Sequence, residues 1–158
     1  MKALQKGFSL IELLIVVAII LIIAAIAIPN LLRSRIAANQ ASAVGSCRTI
    51  NTALITYAST FNTGYSATML ALGPGANPPT ATQAGLIDSV LAAGNKSGYT
   101  FAYTAGSAVG GRINTYTLTA IPQTVGTTGT NRYFTDETGV IRQSSTATAS
   151  AASSPVGG

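Results

Sequence analysis

From Phe8 to Ile28 the chain is apolar at all but two of 21 positions, with only Ser9 and Glu12 polar. At 1.5 Å per residue such a helix is about 30 Å long, enough to cross a hydrocarbon core. Beyond it the pattern changes period. Ile36, Gln40, Ala43, Cys47, Ile50, Leu54, Tyr57 and Phe61 recur every three or four residues, while Arg33, Arg35, Asn39, Arg48 and Asn51 lie largely off that stripe. This predicts one amphipathic face on a helix that continues from the apolar run to about Phe61, roughly 80 Å in all. Pro29, between the two patterns, lacks an N–H and clashes with the carbonyl four residues back, which predicts a gentle kink.

Residues 62 to 80 read as loop, opened by Asn62-Thr63-Gly64 and closed by Gly73-Pro74-Gly75 and Asn77-Pro78-Pro79, with Met69, Leu70 and Leu72 tacking it down. Thr82 to Ala93 suggests a short helix with Leu86, Ile87, Val90 and Leu91 as its apolar face, stopped at Gly94-Asn95. Period-two alternation then marks strands at Tyr99–Tyr103 and Tyr116–Ile121, joined by a turn over Gly106 to Gly111. Arg132–Thr135 and Val140–Arg142 flank Asp136-Glu137-Thr138-Gly139, a hairpin with Gly139 at positive φ. Together these predict a four-stranded antiparallel meander on the second half of the long helix, an α+β fold. From Gln143 the Ser/Ala/Thr-rich sequence predicts a disordered tail.

Composition narrows the chemistry. The 158 residues suffice for one domain, and beyond Asn30 they are rich in Ala, Thr, Ser and Gly, with six Tyr and four Phe in the whole chain to anchor a small core. With no His and one Cys, a transition-metal site or a His-based triad has no ligands to draw on, and Cys47, on the apolar stripe, reads as a core residue. Neither a catalytic residue nor a cofactor is expected. The net charge of +5 is spread over separate positions, so no nucleic-acid patch stands out.

The one charge in the apolar run is the informative one. A carboxylate at the centre of a bilayer costs roughly 2.5–3.5 kcal/mol, so Glu12 calls for a partner. The order of segments is also unlike a secretory signal peptide, which places its small residue after the apolar region. Here the basic leader and Gly7 come first, so cleavage at Gly7 leaves the apolar run on the product, and Lys2 and Lys6 keep the leader cytoplasmic.

Lys6-Gly7-Phe8-Ser9-Leu10-Ile11-Glu12, with Pro29 beyond, resembles the signature of type IV pilins and the related type II secretion pseudopilins. The resemblance covers residues 1 to 30. It implies a leader over 1–7, a transmembrane and filament-core helix over 8–30, a globular domain over 31–142 and, after it, the tail over 143–158. It further implies that a prepilin peptidase cuts between Gly7 and Phe8 and N-methylates Phe8. An assembly ATPase complex and inner-membrane platform then extract the subunit from membrane lipid into a helical homo-oligomer. The single-pass subunit, N-terminus cytoplasmic, would end in an extracellular pilus or, on the alternative reading as a secretion pseudopilin, a periplasmic pseudopilus. A minor or competence pilin is a further alternative.

Glu12 acquires a reason on this reading. The new amine on Phe8 lies one helical turn away, and opposite charges about 4 Å apart attract by about 4 kcal/mol even at an effective dielectric near 20. The family favours pairing with a neighbour's amine, which rewards one axial register because a misplaced subunit leaves a buried charge unpaired.

Three departures from family patterns are visible. Many relatives have a glycine midway between Glu12 and Pro29; here none occurs from Phe8 until Gly45. A C-terminal disulfide loop cannot form with one cysteine. Asp136 and Glu137 give too few oxygens for the calcium loop of major secretion pseudopilins, and read as a turn. Arg112, Arg132 and Arg142 are where DNA contact would fall in a competence pilus, but they read as solvated strand residues, so nucleic acid is not an expected partner.

Overall fold

The computed structural model describes residues 7–75 and 77–157; Lys2 and Lys6 of the leader lie outside them. The chain divides between Arg35 and Ile36 into two compact units, five residues beyond the boundary expected from sequence. One helix, α1 (Leu10–Phe61, 52 residues), runs through the division.

In the first unit, α1 is apolar on all sides from Leu13 to Ile28, and its large apolar side chains from Leu10 to Leu32 are exposed. A helix with no polar face has no soluble side, and this one is long and apolar enough to cross a membrane. Helical backbone continues through Pro29. The proline cannot donate, so the carbonyl of Ala25 lacks its regular partner.

In the second unit, α1 buries Ala43, Ser46, Cys47, Ile50, Asn51, Ala53, Leu54 and Tyr57. The predicted stripe is therefore present from Ala43 to Tyr57, widened by three small or polar positions beside it. Asn62, at φ 55°, ends the helix in the left-handed conformation that asparagine tolerates. After a 3₁₀ turn (Leu70–Leu72), a four-residue helix α2 (Ser89–Ala92) follows.

The strands are β1 (Asn95–Lys96), β2 (Tyr99–Ala105), β3 (Ala108–Val109), β4 (Arg112–Ile113), β5 (Tyr116–Pro122), β6 (Arg132–Asp136), β7 (Arg142–Ser144) and β8 (Ser154–Pro155). An antiparallel sheet orders them β1-β2-β5-β6-β7-β8, and β3-β4 form a separate hairpin. The expected meander is its centre, and the two-residue strands β1 and β8 extend it at either edge. The pleat sends Tyr99 and Phe101 of β2, Tyr116, Leu118 and Ala120 of β5, and Tyr133 and Thr135 of β6 inward to meet the α1 stripe. Ala120 lies opposite both Phe101 and Tyr133, so a small residue sits between two rings and the row interdigitates.

Four expectations are corrected. The segment 82–93 is helical only from Ser89: the Asp88 side chain accepts from the Leu91 N–H at 2.9 Å and so fixes the N-cap there. Upstream, Gly85 holds φ +65°, and the backbone N–H groups of Leu86 and Ile87 both donate to the Leu72 carbonyl. Val90 accordingly points outward, 56% exposed, while Ile87 and Leu91 are buried. Leu70 is 70% exposed, leaving Met69 and Leu72 to tack the loop. The predicted strand at Val140–Arg142 is shifted to Arg142–Ser144 because Ile141 drops into the core and its carbonyl accepts from the Val156 N–H at 2.8 Å.

The fourth concerns the tail. Segment 143–157 is folded, not disordered: β8 adds to the open edge of β7, Ala149 is buried, and Val156 packs on the core. Strand addition uses backbone N–H and C=O groups, which a composition-based reading does not weigh. Arg142 Nη1, donating to the Ser153 carbonyl at 3.0 Å, fastens the segment further.

Candidate functional site

The sequence places its candidate chemistry at the start of α1. Gly7 and Phe8 precede the helix, and Phe8 is 78% exposed. A Cβ added at Gly7 would meet nothing within 4 Å. Gly7 and Phe8 therefore lie on non-helical chain, with no close neighbour at the Gly7 Cβ position among the described residues.

Ser9 and Glu12 bracket the first turn. The Ser9 Oγ accepts from the Ile11 N–H at 3.3 Å, and the Ser9 N–H donates to Glu12 Oε2 at 2.8 Å. This is a reciprocal capping arrangement, in which two N–H groups that the helix itself leaves unpaired find acceptors. The Ser-x-x-Glu spacing announces this cap, a second role for Glu12 beside the one expected in assembly. Among the described residues, Oε1 of Glu12 has no hydrogen-bond donor. The site thus holds a carboxylate fixed by one oxygen and open at the other, four residues from the Phe8 nitrogen.

The other candidates separate. Arg112 lies on the β3-β4 hairpin, where its Nη1 donates to Asn62 Oδ1 at 2.7 Å. Arg132 and Arg142 are on neighbouring strands of the main sheet, and both donate to backbone carbonyls, of Ser145 and Ser153. The three arginines are therefore not one surface of the sheet. Asp136 Oδ1 accepts from both the N–H and the hydroxyl of Thr138, which closes the turn before Gly139 (φ +73°). No group of three or more His, Cys, Asp or Glu that would hold a metal gathers among the described residues. Cys47 is fully buried on α1, and burial pushes its thiol up to about 12, so the thiolate form needed for reactivity is suppressed.

The tyrosines hold the loops in place. Tyr57, Tyr99 and Tyr103 donate to the carbonyls of Ala81, Asn131 and Ser66 at 2.8, 2.8 and 2.5 Å, bolting the loops to the helix and sheet. Burial raises the hydroxyls of Tyr99, Tyr103 and Tyr116 above the usual tyrosine range.

The similarity to known proteins that can be placed by residue lies in the N-terminal segment. Residues 2–28 match the model of the prokaryotic N-terminal methylation motif. The chain is similar to the type IV major fimbrial protein FimA of Dichelobacter nodosus, 66% identical over 44 residues, which is 28% of each protein. It is also similar to the type IV wide pilus major component PilA4 of Thermus thermophilus, 69% identical over 35 residues, 22% of this chain and 27% of that one. The matched stretch thus spans under a third of these relatives' length. No solved structure matches the chain.

Proposed function

We propose that this chain, whose N-terminal segment is that of the type IV pilin and pseudopilin family, is a major structural subunit of a pilus filament and has no catalytic role. The observation that carries the reading is the juxtaposition at the head of α1: a Gly7–Phe8 bond on non-helical chain, a Glu12 carboxylate with one uncommitted oxygen, and behind them an all-apolar exposed helix. The names of the relatives, a major fimbrial protein and a wide pilus major component, favour a pilus over a secretion pseudopilus.

The subunit inserts with its leader inward. A prepilin peptidase cuts after Gly7, and the methylated amine of Phe8 then becomes the only cation at that end of the helix. Moving the helix from lipid into a filament core exchanges one apolar surrounding for another, so the hydrophobic effect gives little preference for the filament or for any register within it. The polar pair decides the register: Phe8 of one copy seeks the free oxygen of Glu12 on a neighbour, while Ser9 holds the other oxygen in place. Pro29, with the Ala25 carbonyl unpaired, is the point where the helix yields most easily as it packs. An assembly ATPase and membrane platform supply the work of extraction.

The test is electron microscopy of material sheared from the cell surface, with mass spectrometry of the subunit. Fibres composed of a chain that starts at methylated Phe8 are expected, and Glu12→Leu should remain in the membrane fraction with few fibres. A subunit that retains residues 1–7 in assembled fibres, or normal fibre yield from Glu12→Leu, refutes the mechanism.

A further inference from the structure

The apolar surface of α1 ends abruptly. Leu31 and Leu32 are exposed apolar side chains, and Arg33-Ser34-Arg35 follows at once, with both arginines exposed. From Leu10 to Arg33 the helix rises about 35 Å, slightly more than a hydrocarbon core, so arginines at this position meet the layer of headgroups. Two residues apart on a helix they are about 200° apart around its axis and face opposite sides. The hydroxyl between them is already used, since Ser34 Oγ donates to the Asn30 carbonyl at 3.0 Å.

Among the described residues, neither arginine has a carboxylate partner. The one ion pair among them is Lys96–Asp88 at 2.9 Å. Glu12 serves Ser9, and Asp136 serves Thr138. Flanking charge adds a second reason to look outward. The leader carries Lys2 and Lys6, and the far flank carries Arg33 and Arg35, an even match. Loss of the leader removes the lysines and leaves the arginines as the basic side chains bordering the span.

We propose that Arg33 and Arg35 form a collar that binds the phosphates of anionic phospholipid headgroups at the outward face of the membrane, and that this collar anchors the subunit after its leader is removed. The proposal rests on the spanning reading above. A guanidinium matches a phosphate with two parallel N–H donors, and arginine stems reach along apolar surface to place that fork among headgroups. With one arginine on each side, the helix is held at a fixed depth by lipids from either side. Extraction into a filament must then break these contacts together with the lipid contacts of the span.

The full chain is reconstituted in phosphatidylcholine vesicles containing a trace of spin-labelled phosphatidylglycerol or spin-labelled phosphatidylcholine. The motionally restricted fraction of each label then gives the relative affinity of the protein for the two headgroups. To separate the two flanks, Lys2→Gln/Lys6→Gln is compared with the same chain also carrying Arg33→Gln and Arg35→Gln. The first variant is expected to prefer phosphatidylglycerol by about fivefold or more, the share of one basic residue at a membrane surface. Adding the two arginine changes should bring the ratio to about one, and Arg33→Lys/Arg35→Lys in their place should keep much of it. A ratio near one in the first variant, or a preference that survives loss of both arginines, overturns the collar. If neither label shows a restricted fraction, the helix is not in the bilayer, and the spanning reading falls with the proposal.

Discussion

Asn51 is the residue whose removal most directly tests how α1 is joined to the sheet. Its side chain donates through Nδ2 to Thr135 Oγ1 at 3.0 Å and to the Gly139 carbonyl at 3.4 Å, and its Oδ1 accepts from Tyr116 Oη at 3.0 Å. Asn51, Tyr116 and Thr135 are 6%, 3% and 0% exposed, so water cannot replace a lost partner. Asn51→Ala strands the Tyr116 and Thr135 hydroxyls in the core. An unsatisfied buried group costs about 1–3 kcal/mol, so a loss of about 2–4 kcal/mol is expected, a large part of the roughly 5–15 kcal/mol that holds a typical domain together. With a urea slope of roughly 1.5 kcal/mol/M, the unfolding midpoint should fall by about 1.3–2.7 M. Pulse proteolysis of the full chain in detergent micelles across a urea series reads that midpoint. A second substitution sharpens the test. Tyr116→Phe alone should destabilise, because it leaves Asn51 Oδ1 unpaired, whereas in the Asn51→Ala background it removes a stranded hydroxyl and should be neutral or stabilising. A midpoint shift under about 0.5 M for Asn51→Ala, or an equal cost of Tyr116→Phe in both backgrounds, refutes the network.

Three further outcomes are expected. Gly64→Ala should unfold or severely destabilise the domain, since a Cβ there would lie 2.1 Å from the Ile113 carbonyl oxygen at φ +79°; Gly139→Ala, with φ +73° but open space, should cost only about 1 kcal/mol by the same urea measurement. Thermal melts should show stability fully present below pH 9 and falling as pH rises: Cys47 is raised from 9.0 to about 12, and Tyr99, Tyr103 and Tyr116 are raised above 10.0, so each holds its proton more tightly folded than unfolded. Cys47→Ala should remove the part of that decline that begins near pH 9, and its persistence unchanged would refute the assignment. Asp88→Ala should fray Ser89–Ala92 and cost about 1 kcal/mol, seen as faster amide exchange at Leu91, because it deletes the cap at the Leu91 N–H.

What can be read from the sequence is what a period or a motif encodes. The α1 stripe, the strands carrying Tyr99, Phe101, Tyr116, Leu118 and Tyr133, and the turn at Gly139 all follow from side-chain spacing. Gly7, Phe8 and Glu12 stand out in the sequence because their order is specific, and Glu12 falls in the first turn of α1. What is not legible depends on groups that side-chain patterns omit. The fold of 143–157 rests on the free backbone edge of β7 and on arginine donors that reach its carbonyls. The shortening of α2 turns on the Asp88 cap and on hydrogen bonds from Leu86 and Ile87 to Leu72, 14 and 15 residues away. Asn51 reads as a solvated helix residue until Tyr116 and Thr135 are seen above it. The cap by Ser9 is legible in Ser-x-x-Glu but obscured by the rarity of an acid in an apolar run.

The order of the main sheet, β1-β2-β5-β6-β7-β8, has a consequence for how the domain comes to be folded. Each strand pairs with the next in the chain, apart from β2 and β5, which are separated only by the β3-β4 hairpin. Such a sheet can grow by successive hairpin closures, each over a short loop with a small entropy of closure, and low contact order favours rapid folding. The slow step is then expected to be docking the sheet on α1, across the long separations from Asn51 to Tyr116 and Thr135. A chain delivered N-terminus first would have its helix in place beforehand, as a surface awaiting the strands in the order in which they emerge.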